Sequence, residues 1–173
     1  MYQIVLTGPE STGKSTLAKA LAQRYAVDYV SEYARAYINN LDRPYVEADL
    51  LKIAQQQQAN IQAAQQSDNA LLFIDTAMLV LKIWSDYKYQ RCHPWILQQL
   101  IQPSIDLYVL CGTDIPWEYD TQREHPHERN TLHTIYIQEL KKHQLPFIEV
   151  RGNIEERLQQ VSLFLQKNIM RKL

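Results

Sequence analysis

An excess of charge of either sign is what this chain most plainly lacks. Its 18 lysines and arginines almost balance 19 acidic residues, for a formal net charge of −1, and no long basic run occurs. Generic attraction to nucleic acid needs a concentrated positive field, so no nucleic-acid partner is expected. No apolar stretch approaches the roughly 20 residues that cross a bilayer, so no membrane partner is expected either. There are two cysteines, Cys92 and Cys111. They have no metal-ligand spacing and suggest no secreted disulfide framework, so both read as packing residues. A strand-like run begins at once, leaving no room for a signal peptide, and a cytoplasmic location is expected. Neither an internal repeat nor linker composition divides the 173 residues, of which 46% are apolar. A single domain spanning 1–173 is expected.

Against that background one stretch stands out. Gly8-Pro9-Glu10-Ser11-Thr12-Gly13-Lys14-Ser15 fits G-x-x-x-x-G-K-[ST], the phosphate-binding P-loop. Its context is right. Tyr2 to Leu6 is a short run of β-formers, and Leu17, Ala18, Leu21, Ala22 and Tyr25 recur at helical spacing after it. Gly8 and Gly13 let the backbone turn and present successive N–H groups to a polyphosphate. The helix that follows adds its own free N–H groups and dipole. Lys14 would reach the β- and γ-phosphates and Ser15 would ligate Mg²⁺.

Beyond the loop, strand-like runs alternate with helical patterns. Val27–Ser31, Ala70–Ile74, Ile105–Leu110 and Phe147–Val150 read as further strands. Helices are expected from Val46 to about Ser67, over Thr76–Tyr87, His93–Gln102, Thr131–His143 and Ile154–Met170, with a stop at Pro103 and cations Lys167, Arg171 and Lys172 at the C-terminal end. The stripe of the long helix is Val46, Leu50, Ile53, Gln57, Ile61 and Ala64, while the Gln55–Gln58 run as a whole reads as helix surface. The predicted class is α/β: five strands in a mainly parallel sheet, with helices on both faces. In such sheets ligands lie at the carboxyl ends of the strands.

That edge collects the candidate chemistry. Asp75 ends Leu71-Leu72-Phe73-Ile74, the pattern of a carboxylate beside Mg²⁺; capping the next helix is its structural alternative. Glu32, Tyr33 and Arg35 follow the second strand, with Glu32 a second candidate base. The polar stretch from about 113 to 130 exceeds the usual connection of about 4–6 residues. It suits a lid whose Arg123 and Arg129 meet phosphoryl charge. His125 and His127 lack a third ligand for a metal. Trp84, Tyr87 and Tyr89 offer aromatic surface for a flat heterocycle, though Trp84 also shares a stripe with Ala77 and Leu81.

Four segments together carry a resemblance: the P-loop, Glu32-Tyr33-Ala34-Arg35, Phe73-Ile74-Asp75-Thr76, and Pro116-Trp117-Glu118-Tyr119-Asp120-Thr121-Gln122-Arg123. In order and spacing they resemble the ribosylnicotinamide kinase domain of NadR-like proteins, a P-loop kinase family of the AAA_28 type. One departure is Thr121, where the family usually has glycine. The resemblance implies a P-loop NTPase fold with a kinase-like lid, ATP with Mg²⁺, and phosphorylation of the ribose 5′-hydroxyl of nicotinamide riboside to NMN in NAD salvage. It implies that Lys14, Ser15 and Thr16 bind phosphates and metal; from the motif and the lid, Gly8, Glu10, Ser11, Thr12, Gly13 and Arg129 are also expected at the nucleotide, with Ser15 and Asp75 at the metal. It further implies catalytic roles for Lys14, Asp75, Glu32 and Arg123. Glu32, Tyr33, Arg35, Asp75, Trp84 and Tyr87 would face the substrate. The adenylyltransferase and DNA-binding parts of NadR-like proteins are expected to be absent from a chain that opens at the kinase motif.

The sequence also admits three alternatives. One is a kinase for another nucleoside or nucleotide, one a regulatory NTPase switch, and one a binding module without turnover. The guanine-reading N-K-x-D motif is missing, which tells against a GTPase switch. Intact Lys14, Ser15 and Asp75 tell against a module without turnover.

Overall fold

The computed structural model describes residues 1–102, 105–125 and 127–169. Five strands form one sheet: β1 (Tyr2–Thr7), β2 (Tyr29–Val30), β3 (Leu71–Asp75), β4 (Leu107–Cys111) and β5 (Phe147–Val150). Their order is β2-β3-β1-β4-β5, and every recorded pairing is parallel. The register places Leu6 beside Asp75 and also beside Val109. The loops that leave β1, β3 and β4 therefore emerge at one edge.

Strict alternation along the strands builds two cores. Ile4, Leu6, Leu71, Phe73, Leu107, Val109 and Cys111 face α1 (Lys14–Tyr25) and α7 (Ile154–Asn168). Val5, Leu72, Ile74, Tyr108 and Leu110 face the opposite layer. That layer holds α2 (Tyr33–Asn39), α3 (Glu47–Ala64), α4 (Met78–Tyr89), α5 (Pro94–Ile101) and α6 (Arg129–Lys142). Strands buried on both faces need apolar residues at every position, which is why they read as continuous runs rather than as an alternation.

Several boundaries differ from the sequence expectation. The second strand keeps only Tyr29–Val30, because it is an edge strand and the Val27 N–H is taken by the carbonyl of Ala22 at the end of α1. Val46 is exposed and lies outside α3, where its backbone N–H meets Asp49 Oδ2 at 2.9 Å. The fourth helix starts at Met78 rather than Thr76. Thr76 takes a left-handed φ of 65°, and its N–H reaches back to the Leu6 carbonyl at 3.2 Å. The N-cap is then Ala77, so Asp75 does not cap this helix. The sixth helix begins two residues early, at Arg129. The stop at Pro103 and the terminal Met170, Arg171 and Lys172 lie outside the described residues.

Candidate active site

The P-loop joins β1 to α1 with the geometry of an anion cradle. Gly8, Ser11 and Gly13 all adopt positive φ, at 131°, 54° and 75°. Gly8 also has no room for a side chain: a Cβ there would stand 2.9 Å from the Cys111 carbonyl oxygen. Gly13 is the N-cap of α1 and offers no side-chain acceptor, so the first N–H groups of that helix face the cradle unpaired by a cap. Within the loop, the Thr12 hydroxyl and the Lys14 ammonium both donate to the Pro9 carbonyl at 2.7 Å. Lys14 thus rests on a neutral acceptor that a phosphate oxygen would outcompete, since hydrogen bonds between ionised partners are roughly twice as strong.

Two carboxylates stand near the lysine. Asp75, at the end of β3, is buried, and its Oδ1 has no hydrogen-bond partner. Burial pushes its pKa above the ordinary carboxylate value, against the pull of the Ser15 hydroxyl, Lys14 and Arg35. Glu32, at the N-cap of α2, is shifted the same way. Burial is the main cause, Lys14 and Arg35 oppose it, and Asp75 and Asp120 add to it. A buried carboxylate oxygen without a donor is a group awaiting a cation or a substrate hydroxyl. Ser15 beside Asp75 fits Mg²⁺, which typically takes one or two protein ligands and completes its shell with phosphate oxygens and water. Among the described residues no group of three or more His, Cys, Asp or Glu side chains is placed to hold a metal by itself. That includes the surroundings of His125 and His127.

One residue that ties these carboxylates together was missed in the sequence. Gln57 is buried, unlike its exposed neighbours Gln55 and Gln56, so the surface reading of the glutamine run is corrected at this position. Its Oε1 accepts the Tyr33 N–H at 2.9 Å, and its Nε2 donates to the Thr76 carbonyl at 3.0 Å. It joins the start of α2, which carries Glu32, to the turn after Asp75. Its place on the apolar stripe of α3 was the available signal.

The segment between β4 and α6 lies across the P-loop. Glu118 donates its N–H to Ser11 Oγ at 3.0 Å, and Arg123 donates to the same oxygen at 3.2 Å and to the Glu118 carbonyl. Glu10 accepts the backbone N–H groups of Glu124, at 3.1 Å, and His125. On the other flank Asp120 pairs with Arg35 at 2.7 Å, and Gln122 donates to Asn39. Further out, Glu124 accepts from Lys88 and from the Tyr45 hydroxyl, which in turn accepts the Trp84 indole N–H at 2.9 Å. The segment thus touches the phosphate loop, α2 and α4 at once.

Beneath it is a cavity of about 220 Å³. The P-loop from Gly8 to Thr16 lines it, together with Glu32 and Arg35. Trp84 and Tyr87 of α4 form an aromatic wall with the apolar Val80 and Ile83, and Arg123 lies in the roof. The structure brings together Glu10, Ser11, Thr12, Lys14, Ser15, Glu32, Arg35, Trp84, Tyr87 and Arg123 from the sequence reading. Four others, Tyr33, Asp75, Arg129 and the Tyr89 offered as aromatic surface, do not line the cavity. Tyr33 serves through its backbone N–H, Asp75 lies buried beside Ser15 and Lys14, and Arg129 is turned to backbone carbonyls.

Comparison with known proteins places this geometry in a family. The AAA_28 family model, described as an AAA domain, matches residues 3–157, and the chain belongs to that family. The trifunctional NAD biosynthesis/regulator protein NadR of Salmonella typhimurium (strain LT2) is 26% identical over 156 residues, covering 86% of this chain and 38% of its own length. A solved structure of NadR protein in complex with NAD and AMP-PNP matches with a TM-score of 0.79 at 18% identity, over 96% of this chain and 49% of that one. Another, in complex with NR, matches with a TM-score of 0.76 at 19% identity, over 95% and 51%. The chain spans well under half the length of that curated relative and about half of each solved NadR chain. The fold is that of P-loop kinases.

Proposed function

We propose that this member of the AAA_28 family is an ATP-dependent kinase that phosphorylates the ribose 5′-hydroxyl of nicotinamide riboside, giving NMN. The observation that carries the reading is that the P-loop, Glu32, Arg35, Trp84 and Tyr87 line one and the same cavity. A switch needs a phosphate cradle alone. A cradle opening into an apolar, aromatic pocket with a carboxylate between them has room for a second, flat substrate. The 26% identity to a protein named for NAD biosynthesis, and the likeness to a NadR structure in complex with NR, support nicotinamide riboside as that substrate.

The chain's own groups would act as follows. The P-loop amides and Lys14 hold the β- and γ-phosphates, Lys14 leaving the Pro9 carbonyl to do so. The acceptor's pyridinium ring lies against Trp84 and Tyr87, where stacking and cation–π attraction fix its plane. Its ribose then falls toward Glu32 and Arg35. Glu32 or Asp75 orients the attacking hydroxyl; Glu32, which lines the cavity and whose pKa burial raises, is the better placed of the two to take its proton. Arg123 meets charge on the transferred group, and the overlying segment excludes water. Ser15 and Asp75 would hold Mg²⁺, which supplies charge neutralisation on the phosphates.

The test is ADP formation from ATP and Mg²⁺ against a panel of nucleosides and nucleotides, with a control lacking acceptor. Turnover dependent on nicotinamide riboside is expected. Turnover with a different acceptor alone would keep the kinase and replace its substrate, and acceptor-independent hydrolysis would favour a regulatory ATPase.

A further inference from the structure

Where successive N–H groups of a loop converge inward, the carbonyls between them turn outward. In the P-loop, with left-handed turns at Ser11 and Gly13, the carbonyls of Ser11 and Thr12 accept from protein donors. Buried carbonyls need donors, or the loop would relax and lose its cradle.

Two arginines supply them, one from each flank of β4. Arg129, the first residue of α6, donates to the Ser11 carbonyl at 2.8 Å, and to those of Thr113 and Ile115 at 3.3 and 2.9 Å. Arg157, buried on α7, donates to the Thr12 carbonyl at 2.6 Å. It also donates to the carbonyls of Gly112 and Gly152 at 3.2 and 2.8 Å, and to Asp114 Oδ1 at 3.0 Å. Asp114 Oδ2 in turn accepts the Gly152 N–H at 2.6 Å. Each guanidinium therefore holds one P-loop carbonyl and at least one carbonyl of the 112–115 stretch, where the overlying segment begins.

We propose that Arg129 and Arg157 are positioning residues that hold the phosphate-binding loop in its anion-binding shape from behind, by capping the consecutive carbonyls of Ser11 and Thr12. The proposal rests on the reading of this loop as a nucleotide phosphate site. Both guanidinium groups spend their donors on backbone carbonyls and, for Arg157, on Asp114. They keep the amides converged on the phosphate site, add positive charge behind the cradle, and fix it to the root of the covering segment. The planar fork matters as much as the charge, since a lysine ammonium cannot span carbonyls from two separate segments in the same way.

The experiment is calorimetric titration of the full chain with inorganic tripolyphosphate and with Mg-ATP, for wild type, Arg129→Lys and Arg157→Lys. Thermal midpoints and acceptor KM are measured alongside. Each substitution keeps the charge and removes the fork. Affinity for both ligands is expected to fall roughly tenfold in each variant, the scale of one lost charge-assisted hydrogen bond, with acceptor KM unchanged. Unchanged affinity in either folded variant would overturn the proposal. So would an equal rise in acceptor KM, which would mean general loosening. If Arg157→Lys does not fold, Arg129→Lys, at the half-buried position, decides alone. Failure of the wild type to bind either ligand would overturn the nucleotide-site reading itself, and needs no variant to be seen.

Discussion

The Gln57 side-chain amide donates to the Thr76 carbonyl at 3.0 Å from a site with almost no exposure to solvent. Its other end accepts the Tyr33 N–H, so one side chain sets the spacing of the segments that carry Glu32 and Asp75. Thr76 itself holds a left-handed φ, a conformation that must be paid for by its surroundings.

Gln57→Leu keeps the volume and removes both bonds. It leaves the buried Thr76 carbonyl unpaired, at a cost of about 1–3 kcal/mol, and frees the half-buried Tyr33 N–H. The expected outcome is a loss of about 2 kcal/mol or more in urea denaturation, with kcat falling more than the KM for ATP. A variant of unchanged stability would show that these bonds are not what holds the two segments.

The raised pKa of Glu32 fixes the sign of two pH effects. If Glu32 is the base, activity declines on acidification at a higher pH than an ordinary carboxylate would impose. Stability runs the other way. A carboxyl whose folded pKa is raised contributes stability that is fully present below its unfolded pKa and lost as pH rises through the folded value. Glu32→Gln should therefore raise the thermal midpoint above that window, and the gain over wild type should vanish below it. Midpoints across a pH series, for both proteins, check this.

Glu10 fastens the covering segment through the N–H groups of Glu124 and His125. Glu10→Ala removes both acceptors. Roughly a tenfold fall in kcat is expected, on the scale of charge-assisted bonds, together with faster proteolytic cleavage between Pro116 and His125. Limited proteolysis with and without Mg-ATP measures the second effect directly.

Trp84 forms the cavity wall with its indole N–H tied to Tyr45. Trp84→Leu should raise the acceptor KM about tenfold, the order of a desolvated cation–π contact. The KM for ATP should not move, because the groups assigned to the phosphates belong to the P-loop while the indole is held by Tyr45. Steady-state kinetics with each substrate varied in turn separates the two.

The phosphate loop, the sheet and Asp75 were legible in the sequence because each rests on local chemistry: two glycines and a lysine at fixed spacing, doubly buried apolar runs, an acid at a strand's end. The strand at the sheet's edge was read too long, since Val27 looks like a strand residue and only its bond to the Ala22 carbonyl says otherwise. Val46 fell on a helical stripe by spacing, yet the helix starts one residue later and leaves it exposed. Gln57 was placed on the buried stripe by position and on the surface by composition, and position was the better guide. The grip of Arg129 and Arg157 on Ser11 and Thr12 had no sequence signal at all. Their partners are backbone carbonyls, 118 and 145 residues away, and any residue presents a carbonyl.

Transfer of a labelled γ-phosphoryl group from ATP to nicotinamide riboside, followed in wild type and Lys14→Ala with the product identified by mass, tests the central claim most directly. Label appearing in NMN with the wild type, and lost with Lys14→Ala while the thermal midpoint is retained, is the predicted result. Label released only as inorganic phosphate, or transferred equally by both proteins, would contradict it.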